Sequence, residues 1–258
     1  MPPVEFVGMA VELGVRRIGL APCPITENPH GYPAWDLRGS ARLVRDLRQA
    51  LADHAVTVAL GEGFLIMPGL DIAAMEPVID LMAELGAPVL NAVAIEQDRP
   101  RALAQFAAFA EMGAARGQRA TLEFMPLMWP ATLGEAISFV RACGAANAGL
   151  LLDAMHVYRS GATTADLAAI DPALVGHIQA CDVPMPAQTD NYGEEARHER
   201  LVPGEGDLPL ADFLRALPRD ITVGIELPML SKAHAGIAPV TAMRPAIAAL
   251  RALLAEIG

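Results

Sequence analysis

Lysine is all but missing from this chain. Lys232 is the only one, and it follows the last predicted strand, whereas a Schiff-base aldolase needs a buried lysine at a strand end. Cysteine is also scarce: Cys23, Cys143 and Cys181 are odd in number, lack C-x-x-C spacing and read as reduced thiols of a cytoplasmic protein. No apolar run approaches the ~20 residues of a membrane helix. Met1-Pro2-Pro3-Val4-Glu5 has neither the basic region nor the apolar stretch of a signal peptide, so none is expected. A net charge of -11 without any basic patch speaks against a nucleic-acid partner. The nucleophile elbow G-x-S-x-G, the Walker A motif and the dinucleotide fingerprint are all missing. No glycine-rich phosphate cup follows the last two predicted strands, which favours an unphosphorylated substrate.

What the chain does have is apolar mass, 53% of 258 residues, close to the ~250 residues of a (β/α)₈ TIM barrel. Short β-type runs alternate with helical periodicity. Strands are predicted at Arg17–Ala21, Val56–Leu60, Val89–Ala94, Ala120–Met125, Gly149–Met155, Leu174–Cys181 and Ile221–Leu227. Helices are predicted at Val4–Leu13, Leu37–His54, Ile72–Leu85, Pro100–Arg116, Leu133–Cys143, Ala165–Ile170, Leu208–Leu217 and Pro239–Ile257. This alternation implies parallel strands joined by helical crossovers, in one domain spanning residues 1–258. Seven strands are visible where a closed barrel has eight. The expected first strand would precede the Val4–Leu13 helix, so either it lies upstream of this sequence or the barrel is open or closed by a partner. The longest irregular stretch, Asp182–Asp207, reads as a lid or binding loop, or else as a decorated surface loop.

The last four strands share a feature. Period-two alternation puts Thr121 with Glu123 on one face and Leu122 with Phe124 on the other; Thr222, Gly224 and Glu226 likewise oppose Val223, Ile225 and Leu227. Asp153 ends the run Gly149-Leu150-Leu151-Leu152, and His177, Gln179 and Cys181 share a face of the sixth strand. Each strand thus ends with an inward acid or amide at the face where TIM barrels place their active sites. Crowded carboxylates repel one another, and a divalent cation relieves that conflict. Glu123, Asp153, Gln179 and Glu226 all offer oxygen, which favours Mn²⁺ or Mg²⁺ over Zn²⁺. Each acid alone could equally be a helix N-cap or a salt-bridge partner. His177, inward below Gln179, is either an orienting partner of a ligand or a satisfied core histidine. Glu62 and Asn91 can line the pocket, or serve capping and packing.

The segments Leu122-Glu123-Phe124, Leu151-Leu152-Asp153-Ala154-Met155-His156, Gly176-His177-Ile178-Gln179-Ala180-Cys181-Asp182 and Gly224-Ile225-Glu226-Leu227-Pro228 resemble the metal-binding strands of the xylose-isomerase-like sugar isomerase/epimerase superfamily. Arg200-Leu201-Val202-Pro203-Gly204-Glu205-Gly206 resembles its R-x-x-P-G-x-G element. The likeness runs from about residue 4 onward. One departure stands out: many relatives carry histidine where this chain has Gln179, and glutamine there resembles hydroxypyruvate isomerases and some 3-dehydroshikimate dehydratases.

The resemblance implies one divalent metal ion, held by Glu123, Asp153, Gln179 and Glu226. Glu123 and Glu226 would shuttle the proton, Asp153 and Gln179 would serve as ligands only, and His156 would bind substrate or transfer a proton. Arg200 would contact substrate, with His177 a further substrate-binding candidate. His156 as a solvated loop residue and Arg200 as a surface arginine are the bland alternatives. The superfamily's apurinic-site endonucleases resemble a histidine-rich, multi-zinc pattern, against which six histidines and a net charge of -11 argue. Three functions stay open: an isomerase or epimerase of a small sugar or hydroxy-carbonyl compound working through an enediolate, a lyase of the 3-dehydroshikimate dehydratase type, and a non-catalytic barrel subunit. The expected partner is a small molecule, with no nucleic acid and no membrane; self-association is left open.

Overall fold

The computed structural model describes residues 1–258. Seven parallel strands pair in sequence order: β1 (Arg17–Leu20), β2 (Thr57–Ile66), β3 (Val89–Ala94), β4 (Arg119–Glu123), β5 (Ala148–Asp153), β6 (Val175–Ala180) and β7 (Val223–Ile225). They curve into a nearly closed barrel; β1 and β7 are not paired with each other. Around them run α1 (Pro3–Glu12), α2 (Ala41–His54), α3 (Glu76–Glu84), α4 (Arg99–Ala114), α5 (Leu133–Cys143), α6 (Ala154–Arg159), α7 (Thr164–Ala168), α8 (Tyr192–His198), α9 (Leu210–Arg215), α10 (Leu230–His234) and α11 (Pro239–Ile257). No helix is long and apolar enough to cross a membrane.

Local chemistry sets the helix starts. Ser40, Asp98 and Thr132 each accept a hydrogen bond from the third residue beyond, satisfying a backbone donor that the first turn leaves free. Gly144 closes α5 with a φ of +71°, a conformation that costs glycine little. Between strands and helices lies the main core. Leu122 and Phe124 are buried on the helix side of β4, while Thr121 and Glu123 face the interior, where Thr121 donates to Leu90 O and Asn91 Oδ1.

Several predicted boundaries move, α2 starting at Ala41 and β4 ending at Glu123 among them. β2 continues past Leu60 to Ile66. β5 stops at Asp153, because that residue's side chain caps α6 and turns Ala154 and Met155 into helix. β7 shrinks to Val223–Ile225, since only β6 pairs with it and a strand with one neighbour has a short ladder. The stretch Asp182–Asp207 also contains a helix, α8, introduced by Asn191, whose side chain accepts from Glu194 N.

At the seam between β1 and β7, Arg17 Nη1 reaches Thr222 Oγ1 at 3.4 Å. A cavity of about 230 Å³ opens there, with Phe6 and Met9 of α1 on its outer side and Glu62, His177, Gln179 and Glu226 on its inner side.

Candidate functional site

β4, β5 and β6 deliver neighbouring side chains to one end of the barrel, because their ladders run in step: Glu123 pairs with Leu151, and Asp153 with Gln179. Glu226 follows β7 directly. The structure therefore brings Glu123, Asp153, Gln179 and Glu226 to the carboxyl ends of four consecutive strands.

Glu123 is buried and held on both oxygens. Asn91 Nδ2 donates to its Oε2 over 2.7 Å, and His156 Nε2 stands 3.3 Å from its Oε1. Asp153 has two tasks. Its Oδ1 accepts from His156 N over 3.1 Å, the helix-cap role, and its Oδ2 accepts from Arg200 Nη1 over 2.8 Å. The same Nη1 lies 3.2 Å from Glu226 Oε2. Gln179 Nε2 donates to Glu62 Oε1 over 3.0 Å, while its Oε1 is buried and has no hydrogen-bond partner.

Arg200 and His156 are both buried, so neither is the exposed loop residue that was the bland alternative. His156 sits in the first turn of α6, and its Nδ1 is 2.5 Å from the Tyr192 hydroxyl. His177 stands two residues before Gln179 on the inward face, buried, with Nδ1 unpartnered. It makes no hydrogen bond to a candidate ligand. Desolvation lowers its pKa to about 4, so it is neutral near pH 7.

The charge balance is uneven. Glu62, Glu123, Asp153 and Glu226 face one guanidinium. Desolvation, with the charges of Glu226 and Glu123 added, raises Glu62 to about 8. Desolvation, opposed by Arg200 and reinforced by Glu123 and Asp153, raises Glu226 to about 7. Burial also works against an ionised Asp153, but Arg200 and His156 overcome it and hold the carboxyl below its ordinary value. For His156, burial favours the neutral ring, and Asp153 and Glu123 outweigh it, leaving the imidazole more basic than usual.

A divalent ion suits these residues in donor type and in missing positive charge, and Gln179 Oε1 is an acceptor left over for it. The closing geometry is not assembled: no three acidic, histidine or cysteine side chains surround a common point. Arg200 Nη1, paired with both Asp153 and Glu226, takes the place of a counter-charge there. The candidate holders are Glu123, Asp153, Gln179 and Glu226.

The R-x-x-P-G-x-G element owes its shape to Asp182. That carboxylate accepts from the backbone of Gly204 at 2.8 Å and of Leu208 at 3.0 Å. Any side chain at Gly206 would collide with Asp182 and with Val183 O. Arg200 is thereby carried inward, and its Nε donates to Ala196 O of α8. Glu195 of α8 also pairs with Arg159 of α6 at 2.7 Å. Tyr192 was missed by sequence reasoning, although Asn191 three residues before Glu194 is a helix-start signal. Asn91 and Glu62, noted only as possible pocket lining, turn out to hold Glu123 and Gln179.

The family model described as xylose isomerase-like TIM barrel matches residues 9–253. Among solved structures, the chain is similar to the IOLI protein with a binding zinc atom, at 16% identity and TM-score 0.80, covering 98% of this chain and 92% of that one. It is similar to the probable 3-DHS dehydratase AsbF of Bacillus anthracis, at 15% identity and TM-score 0.73, covering 96% and 92%. It is also similar to D-psicose 3-epimerase from Clostridium cellulolyticum H10, at 16% identity and TM-score 0.71, covering 97% and 93%. At such identities the likeness concerns the fold. No curated relative matches the chain by sequence.

Proposed function

The chain belongs to the xylose isomerase-like TIM-barrel family, and from that premise we propose that it is a divalent-metal-dependent isomerase or epimerase of a small sugar or hydroxy-carbonyl compound. The observation that carries this reading is the convergence of Glu123, Asp153 and Glu226 with the unpartnered Gln179 Oε1 at one barrel mouth. Such a site is short of positive charge. Neighbours described as a zinc-binding protein and as a ketose 3-epimerase fit the same reading. When bound, a divalent ion supplies a Lewis acid that polarises a carbonyl and favours loss of the adjacent proton.

The side chains divide the remaining work. Glu226, with one oxygen on Arg200, is placed to take and return a proton. Glu123 is clamped by Asn91 and His156, so its carboxylate is held in place at the mouth, suited to a cation. Arg200 orients Asp153 and Glu226 and offers a guanidinium to substrate oxygens. Tyr192, from α8, packs its ring against His156 and meets its Nδ1, which fixes the imidazole.

A second reading, dehydration of the 3-dehydroshikimate type, has one observation in its favour. A hydroxyl and an imidazole in contact, as Tyr192 and His156 are, can relay a proton, and loss of water needs one at the leaving hydroxyl. Both reactions begin with the same proton abstraction. The test is therefore incubation with Mn²⁺ and a ketose panel in deuterated water, read by NMR for deuterium beside the carbonyl, with 3-dehydroshikimate followed in parallel by ultraviolet absorbance. Ketose exchange that is lost in Glu226→Gln supports the isomerase. An aromatic product from 3-dehydroshikimate alone replaces it with the lyase, and silence in both arms overturns the enzyme reading in favour of a non-catalytic subunit.

A further inference from the structure

Glu62 reaches the site through an irregularity in β2. The ladder with β3 steps from Gly61↔Leu90 to Phe64↔Ala92, so one extra residue is inserted on the β2 side. Gly63 adopts a φ of +89° there, and a Cβ would press on Pro22. Such bulges re-aim side chains and are over-represented beside active sites. The side chain re-aimed is Glu62. It lies over Gly19, where an added Cβ would stand 3.7 Å from its carboxyl carbon, and it meets Gln179 from β6.

An amide has two chemically opposite ends, since its nitrogen donates and its oxygen accepts. A half-turn about the last side-chain bond exchanges them. Only the oxygen can serve a hard cation. In its ionised form Glu62 offers only acceptors, so it selects the nitrogen of Gln179 and leaves Oε1 over, buried without a partner. We infer that Glu62 is a positioning residue that locks the Gln179 amide in the orientation presenting oxygen to a cation. This rests on the reading of the site as a metal centre. It adds that the fourth donor is set by a residue on a strand that itself supplies no ligand.

The test uses the full chain freed of metal, titrated with Mn²⁺ in a calorimeter, and the side-chain amide signals of ¹⁵N-labelled protein without metal. Glu62→Ala is expected to weaken Mn²⁺ binding about 10–100-fold, the usual cost of losing a residue that orients a ligand. Glu62→Gln sets a donor beside its acceptor, no longer selects the Gln179 nitrogen, and is expected to bind Mn²⁺ with an affinity between those of the parent and Glu62→Ala. In a Gln179→Ala background, Glu62→Ala should cost nothing further, because its effect runs through the amide. The Gln179 amide signals, identified by their loss in Gln179→Ala, should move and lose protection from exchange in Glu62→Ala. Should that variant fail to fold, Glu62→Met fills the space without an acceptor and carries the same test. Unchanged affinity, an equal loss in both backgrounds, or unmoved Gln179 signals overturns the inference. A parent chain that binds no Mn²⁺ overturns the metal reading instead, and the amide signals still decide whether Glu62 holds Gln179.

Discussion

Arg200 Nη1 donates to Asp153 Oδ2 over 2.8 Å, and both side chains are almost wholly buried. Removing one member of such a pair strands the other charge, at a cost of about 3–5 kcal/mol. Arg200→Ala should therefore destabilise the metal-free chain by about that amount in urea unfolding. Saturating Mn²⁺ should restore part of the loss, about 2.7 kcal/mol at a hundredfold excess over the dissociation constant, since one cation then stands in for another. A loss below about 1 kcal/mol would mean that Asp153 finds compensation elsewhere and does not depend on Arg200.

The Tyr192 hydroxyl is the only partner that α8 gives to His156, at 2.5 Å. Tyr192→Phe keeps the ring and deletes that bond. An intramolecular hydrogen bond contributes about 0.5–1.5 kcal/mol, and 1.36 kcal/mol is tenfold in rate. Turnover in the deuterium-exchange assay should fall about 2–10-fold, with KM changed much less, because the imidazole loses orientation rather than its place. Unaltered turnover would confine Tyr192 to holding the loop.

The raised pKa of Glu62 makes a prediction about stability and pH. Its folded value is about 8 against an ordinary 4.5, so between those values the folded chain binds the proton and the unfolded chain does not. Stability contributed by this group is present below pH 4.5 and is lost as pH rises toward 8. Glu226, at about 7, slopes the same way. His177 opposes them: its folded value is about 4 against 6.5, so its contribution is lost as pH falls through that window. Above pH 6.5 the two carboxyls remain, and His156, in which burial is outweighed by Asp153 and Glu123 so that the folded pKa is raised, slopes the same way. Metal-free protein should therefore lose melting temperature between pH 6.5 and 8, and Glu62→Gln should flatten the decline. A variant with the parent's full slope would show that Glu62 does not carry it.

Much of this was readable from the chain. The alternation Thr121, Glu123 against Leu122, Phe124 placed the acid inward, because period two on a strand admits no other reading once one face is apolar. Asp153 was legible as a strand-end acid that could cap a helix, yet the point where β5 gives way to α6 was not, since Ala154-Met155 continue an apolar run that suits strand or helix equally. The reach of Glu62 was hidden for a different reason. A bulge is a property of two strands in register, and Gly61-Glu62-Gly63 alone looks like the end of β2. The pairing of Arg200 with Asp153, 47 residues away, likewise depends on how the long loop folds back through Asp182.

Gln179 offers the last prediction. Its oxygen is a hard donor, whereas imidazole nitrogen prefers zinc and its neighbours in the transition series. In Gln179→His the new ring would stand where the amide meets Glu62, and one ring nitrogen could donate to that carboxylate, the arrangement that commonly orients metal-bound histidine. The substitution should thus keep the centre intact while shifting its choice. Competition between Zn²⁺ and Mn²⁺, measured by calorimetry on the parent and the variant, should move toward zinc by about tenfold or more, roughly 1.4 kcal/mol. Glu62→Ala combined with Gln179→His should lose part of that gain, because the imidazole is then free to turn. An unmoved Zn²⁺/Mn²⁺ ratio would remove Gln179 from the set of ligands, and with it the reason for Glu62 to hold the amide at all.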